Sequence, residues 1–154
     1  MTSNQDRPSP TSRQDHDAIT AVLIRYARAV DTRDWGLFRS CFTADVAADY
    51  GDLGSWNDVE ALSSFMIEAH LGMGPTQHRL TNFHIEIDGD TAHAVTYVHA
   101  VTVLASGPDH WFDTVGTYED RLVRQSGSWH IARRTFRTTR TIASPPLEQG
   151  SPSS

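Results

Sequence analysis

A single cysteine, Cys41, stands among the 154 residues, so no disulfide can close within the chain, and a reducing, cytoplasmic setting is expected. No run approaches the ~20 apolar residues that span a bilayer, so no membrane partner is expected. The first 14 residues lack the apolar stretch of a secretory signal. Basic residues number 13 against 19 acids, which leaves a formal charge of −6, and the isoelectric point is near 5.7. That balance argues against nucleic acid as a partner. The histidines His16, His70, His84, His93 and His110 show no paired ligand spacing, so no metal is expected. A phosphate loop, a dinucleotide fingerprint and a Gly-x-Ser-x-Gly elbow are all missing, and no cofactor is expected.

What is present is enough for one domain. A chain of this length buries about two thirds of its unfolded surface. Its 38% hydrophobic content suits a soluble globular protein, as does a mean hydropathy of −0.42. Residues 1–14 are rich in Ser, Pro, Thr and Gln, and 144–154 carry Pro145, Pro146, Pro152 and several serines. Both tails are expected to be disordered around a body spanning 15–143. Arg133, Arg134, Arg137 and Arg140 read as a solvated strand face from which one arginine could turn inward.

From Asp15 to Val30, apolar residues at Ile19, Val22, Leu23, Tyr26, Ala27 and Val30 follow the spacing of a helix with one buried face. Asp31 continues that stripe. Trp35–Phe42 reads as a second short helix, Asp45–Tyr50 as a strand, and a third helix capped by Asn57 or Asp58 runs to about His70. The remainder is β. Phe83, Ile85 and Ile87 alternate with polar neighbours up to the turn at Asp88-Gly89-Asp90. His78 shares parity with Leu80 but not with Phe83, so a bulge or sharp bend is expected between Leu80 and Phe83. Long strands follow over 91–104, 110–124 and 129–141. Helices followed by neighbouring antiparallel strands define an α+β protein whose curved sheet wraps the helices and leaves a pocket at its open end.

Within this layout Asp31 and His78, 47 positions apart, form the most informative pair. A carboxylate beside an imidazole makes a general base: it fixes the ring tautomer and stabilises the imidazolium once a proton is taken. A carboxylate is also disfavoured at the C-terminal end of a helix, so a purely local capping role for Asp31 is unattractive. Trp56, Phe65, Met66 and Trp111 read as packing or as walls of an apolar substrate pocket. Cys41 reads as inert packing.

The stretch Ile24-Arg25-Tyr26-Ala27-Arg28-Ala29-Val30-Asp31-Thr32-Arg33-Asp34-Trp35 resembles the opening of the SnoaL-like branch of the nuclear-transport-factor-2-like superfamily. Phe42-Thr43-Ala44-Asp45-Val46, Thr76-Gln77-His78-Arg79-Leu80-Thr81-Asn82, Ile87-Asp88-Gly89-Asp90-Thr91-Ala92, Gly116-Thr117-Tyr118-Glu119-Asp120 and Gly127-Ser128-Trp129-His130-Ile131 continue the resemblance in order, over about 15–140. It implies a cone-shaped α+β barrel: three N-terminal helices packed in a strongly curved, mixed, mostly antiparallel sheet. Within the superfamily the chain is similar to the cofactor-free lyases, namely scytalone dehydratase, bile acid 7α-dehydratase and hexachlorocyclohexane dehydrochlorinase. That likeness implies catalytic roles for Asp31, His78, Tyr26 and Tyr50. It also implies an assisting arginine, Arg134 or Arg140, and makes His99 the nearest match to a further polar residue on the long strand.

The expected activity is thus a lyase of dehydratase type, with a His–Asp base acting on a small apolar cyclic or polyketide-like substrate. Polyketide cyclase or isomerase chemistry needs the same groups. A non-catalytic ligand-binding or assembly subunit, like the small subunit of ring-hydroxylating dioxygenases, is the rival class. A homodimer through the sheet is expected, because both faces of 91–104 are only weakly polar.

Overall fold

The computed structural model of the chain describes residues 10–145. The first helix, α1 (Pro10–Thr32), buries Ile19, Val22, Leu23, Tyr26, Ala29 and Val30 and turns Arg25 and Arg28 outward, as the periodicity predicts. It starts earlier than expected. Residues 10–14, assigned above to the N-terminal tail, form its first turn, while 1–9 and 146–154 lie outside the described residues. Asp15 ties this end down, accepting from both Arg124 Nη atoms at 2.8 Å and from Trp129 Nε1 at 3.2 Å.

The helix stops in a Schellman arrangement. Arg33 takes a left-handed φ of 59°. Its N–H then reaches the Val30 carbonyl at 3.1 Å, and the Asp34 N–H reaches Ala29 at 2.9 Å. Asp34 next caps α2 (Trp35–Ser40) by accepting from Leu37 N. Phe42, expected within that helix, instead opens β1 (Phe42–Asp49). The Cys41 carbonyl accepts from Ile131 N at 2.8 Å, which draws the chain into sheet pairing at this point. A single 3₁₀ turn and the two-residue β2 (Ser55–Trp56) lead to α3 (Val59–Ala69), capped by Asp58.

Four long strands complete the chain: β3 (Met73–Asp88), β4 (Thr91–Leu104), β5 (Trp111–Gln125) and β6 (Ser128–Ala143). The sheet order is β2-β1-β6-β5-β4-β3. The β1–β6 pair is parallel and every other pair antiparallel, so the sheet is mixed, mostly antiparallel and open at its edges. The expected bulge is present: the β3–β4 register shifts between Thr81 and His84, where Asn82 has a φ of 54°. Ser144 lies beyond the expected boundary yet still pairs with Trp111, its N–H donating to the Trp111 carbonyl at 2.9 Å.

The core sits between the helices and the concave face of the sheet, around Ile19, Leu23, Phe38, Leu62, Leu122 and Ile131, all essentially inaccessible. On β4 that face carries Ala92, Ala94, Thr96 and Val98. Such small side chains leave room between the sheet and α1, which packs mainly against β3. Among the described residues no helix is long and apolar enough to cross a membrane.

Candidate active site

The space left at the open end is a cavity of about 790 Å³. Tyr26, Tyr50, Phe65, Met66 and His78 line it, together with His70, Val98, Phe112, Tyr118 and Phe136. The last turns of α1, the 3₁₀ turn Gly51–Leu53, the end of α3 and the concave faces of β3–β6 converge there.

Asp31 and His78 meet. The His78 Nδ1 lies 2.7 Å from Asp31 Oδ1, the His78 backbone N–H donates to Oδ2 at 2.9 Å, and the Thr76 hydroxyl donates to Oδ1 at 2.9 Å. Burial alone would raise the Asp31 pKa, but the hydrogen bonds from the His78 ring, the His78 backbone and Thr76 outweigh it and hold the carboxyl below its usual range. The group is therefore ionised at neutral pH. Its contact fixes the proton on Nδ1 and leaves Nε2, with its lone pair, as the free nitrogen of a cavity-lining ring. Arg33 holds the arrangement from behind, donating to the Thr76 hydroxyl at 2.8 Å and to the Gly74 carbonyl at 2.7 Å.

Facing the dyad is a group of tyrosines. The Tyr26 and Tyr50 hydroxyls are 3.1 Å apart. Burial pushes the pKa values of Tyr26, Tyr50 and Tyr118 well above the ordinary value, so all three are neutral. The Tyr26 hydroxyl also bonds that of Tyr118, so the three hydroxyls commit two protons to mutual bonds and leave one for a ligand oxygen.

Arg134 lies beneath these rings. It is fully buried, bonded in a fork to Asp120 at 2.7 and 2.8 Å, with its guanidinium 4.0 Å from the Tyr26 ring centroid and 4.1 Å from that of Tyr118. Its Nη1 makes no hydrogen bond within the described structure. Burial opposes its charge, but the Asp120 carboxylate prevails and raises its pKa.

Several expected positions are corrected. Arg134 does not reach the cavity: it stays behind the tyrosines. Arg140 is exposed and turned away from the cavity, while Arg137 reaches the mouth, held by Asp49 at 2.8 Å. His99 sits on the outer face of β4, paired with Asp113 at 3.2 Å, because the concave face belongs to Thr96, Val98 and Ala100. Trp56 stacks on Phe65 with centroids 4.2 Å apart and lies behind the wall. Trp111 lines a separate recess of about 330 Å³ with Leu104, His110 and Phe112. Sequence reasoning missed Tyr118 and His70 as lining residues. The signal for Tyr118 was its shared parity with Gly116 and Asp120.

The SnoaL-like domain family matches residues 11–135, and the chain belongs to it. An uncharacterised protein of Mycobacterium tuberculosis (strain H37Rv) is 30% identical over 117 residues, which cover 75% of this chain and 80% of that protein. Among solved structures, a protein described as a candidate scytalone dehydratase from Novosphingobium aromaticivorans is similar at a TM-score of 0.80 and 21% identity, covering 92% of this chain and 98% of that one. A hexachlorocyclohexane dehydrochlorinase from Novosphingobium barchaimii is similar at 0.76 and 18% identity, over 91% of this chain and 97% of that one. At these identities the likeness is one of fold.

Proposed function

We propose that this protein is a cofactor-independent lyase of the dehydratase type, acting on a small, largely apolar cyclic or polyketide-like substrate, in the cytoplasm and as a homodimer. The observation that carries this reading is the 2.7 Å contact between His78 Nδ1 and Asp31 at the wall of an apolar cavity. All 13 basic residues are arginine, so no lysine is present to form a Schiff base. Charge that develops on a substrate carbonyl has to be met by hydrogen bonds, and the neutral tyrosine pair is placed to supply one.

In this mechanism His78 Nε2 takes a proton from a carbon next to the carbonyl, and the electron pair moves onto the oxygen as an enolate. The free tyrosine hydroxyl donates to that oxygen. The enolate then collapses, forming the carbon–carbon double bond and expelling hydroxide from the β carbon. The His78 imidazolium, stabilised until then by Asp31, returns its proton to the departing hydroxide, so that water leaves and the neutral ring is restored. Exclusion of bulk water from the apolar cavity strengthens each of these hydrogen bonds.

Turnover of a panel of cyclic β-hydroxy ketones, read by mass spectrometry as loss of water, tests this reading. His78→Ala is expected to fold as wild type and to lose roughly 10²–10⁴ in turnover. Asp31→Asn is expected to lose activity as well, and Tyr26→Phe to lose less. Full activity in folded His78→Ala would remove the base. An isomerised or cyclised product would keep the base and reassign the step after the enolate.

A further inference from the structure

One polar group on the cavity wall has no part in that proton transfer. His70 closes α3, and its Nδ1 lies 2.6 Å from the Met66 carbonyl oxygen of its own last turn. A carbonyl can only accept, so Nδ1 carries the proton and Nε2 carries the lone pair. The ring packs edge-on against Trp35, centroids 5.6 Å apart, and lines the same cavity as His78. No described residue bonds its Nε2. Burial disfavours the imidazolium, the Met66 carbonyl acts in the opposite sense, the charge of Arg33 sides with burial and that of Asp31 opposes it. The net shift is downward, which leaves the ring neutral near pH 7. Phe65, Met66, Ala69 and Met73, which line the cavity with it, are apolar.

We propose that His70 is a specificity-determining residue: its Nε2 accepts a hydrogen bond from a hydroxyl that the ligand keeps, so the cavity selects hydroxylated ring compounds over rings bearing an ether or a halogen at that point. The inference rests on the cavity being the substrate site. The two imidazoles then divide the ligand between them. His78 faces a C–H bond that breaks, and His70 faces an O–H bond that persists. A ligand without the hydroxyl displaces water from Nε2 and returns nothing, which disfavours it by about tenfold.

The test uses 2-naphthol and 2-methoxynaphthalene, the same bicyclic ring with and without a donor, titrated into the full chain carrying ¹⁵N-labelled histidine. The expected result is binding of 2-naphthol about tenfold tighter than of the ether, with a shift of the His70 Nε2 resonance. That preference should fall to about unity in His70→Phe and persist in His78→Ala. The wild-type resonance keeps the test decisive if His70→Phe does not fold. Equal affinities, with both probes perturbing cavity residues, would overturn the role of His70 and leave the cavity reading intact. A preference that survives His70→Phe and vanishes in His78→Ala would also overturn it, by placing the hydroxyl on His78. If neither probe perturbed any cavity residue, both readings would fall.

Discussion

Asp120 and Arg134 are both completely inaccessible, and each is the other's main compensation for lost water. Removing one partner of such a pair strands a charge, which costs about 3–5 kcal/mol. Asp120→Ala is therefore expected to lower the melting temperature sharply, while Arg140→Ala, at an exposed site, should leave it near wild type; thermal unfolding by circular dichroism checks both. Comparable losses in the two variants would contradict the placement of these arginines. The sequence showed four arginines close together, without a way to tell which one turned inward. The dyad was more legible. Asp31 continues an apolar helical stripe where a carboxylate has no local use, and His78 keeps parity with the partly buried Leu80. His70 was illegible for the opposite reason: a histidine just past a helix end has an ordinary capping role, and nothing in its neighbours marks the cavity beyond.

The arginine ambiguity is resolved by β6 as an element. Its register with β5 shifts between Arg121 and Leu122 and again between Val115 and Gly116. Each bulge inserts one residue and reverses the alternation that follows, so Ile131 and Arg134 both face inward although their numbers differ in parity. Alternation read from sequence cannot see such an insertion unless both flanks are strongly apolar. That condition holds around Asn82, where the bulge was anticipated, and fails along Arg133–Thr141. Gly116 lies at the second shift. A Cβ there would come within 2.5 Å of the Arg137 carbonyl oxygen and 2.7 Å of the Phe136 ring. Gly116→Ala is accordingly expected to destabilise the protein by about 1–3 kcal/mol, the range of overpacked sites, as read from urea unfolding. A wild-type midpoint would mean that β5 and β6 are looser there than the register implies.

At the scale of the whole molecule, the helices cover one face of the sheet and leave the other bare. Val95, His99, Val101 and Val103 on β4 are only partly covered there, and Tyr97 is 53% exposed. An apolar strand face of this kind, on a chain of 17.1 kDa, is expected to pair with a second copy. Light scattering should give about twice the chain mass, and a monomer at micromolar concentration would refute the dimer. The covered face holds the cavity, with His78 of the dyad on its wall. A base aimed at a carbon acid exchanges that acid's hydrogen with solvent, even when no group can leave, whenever the imidazolium trades its proton with water before returning it. The direct measurement is NMR of 2-indanone in D₂O, following loss of the protons next to its carbonyl. Exchange well above buffer is expected with wild type, lower by roughly 10²–10⁴ in folded His78→Ala and reduced in Asp31→Asn. Exchange at the wild-type rate in His78→Ala, or none above buffer with wild type, would contradict the proposed role of the dyad.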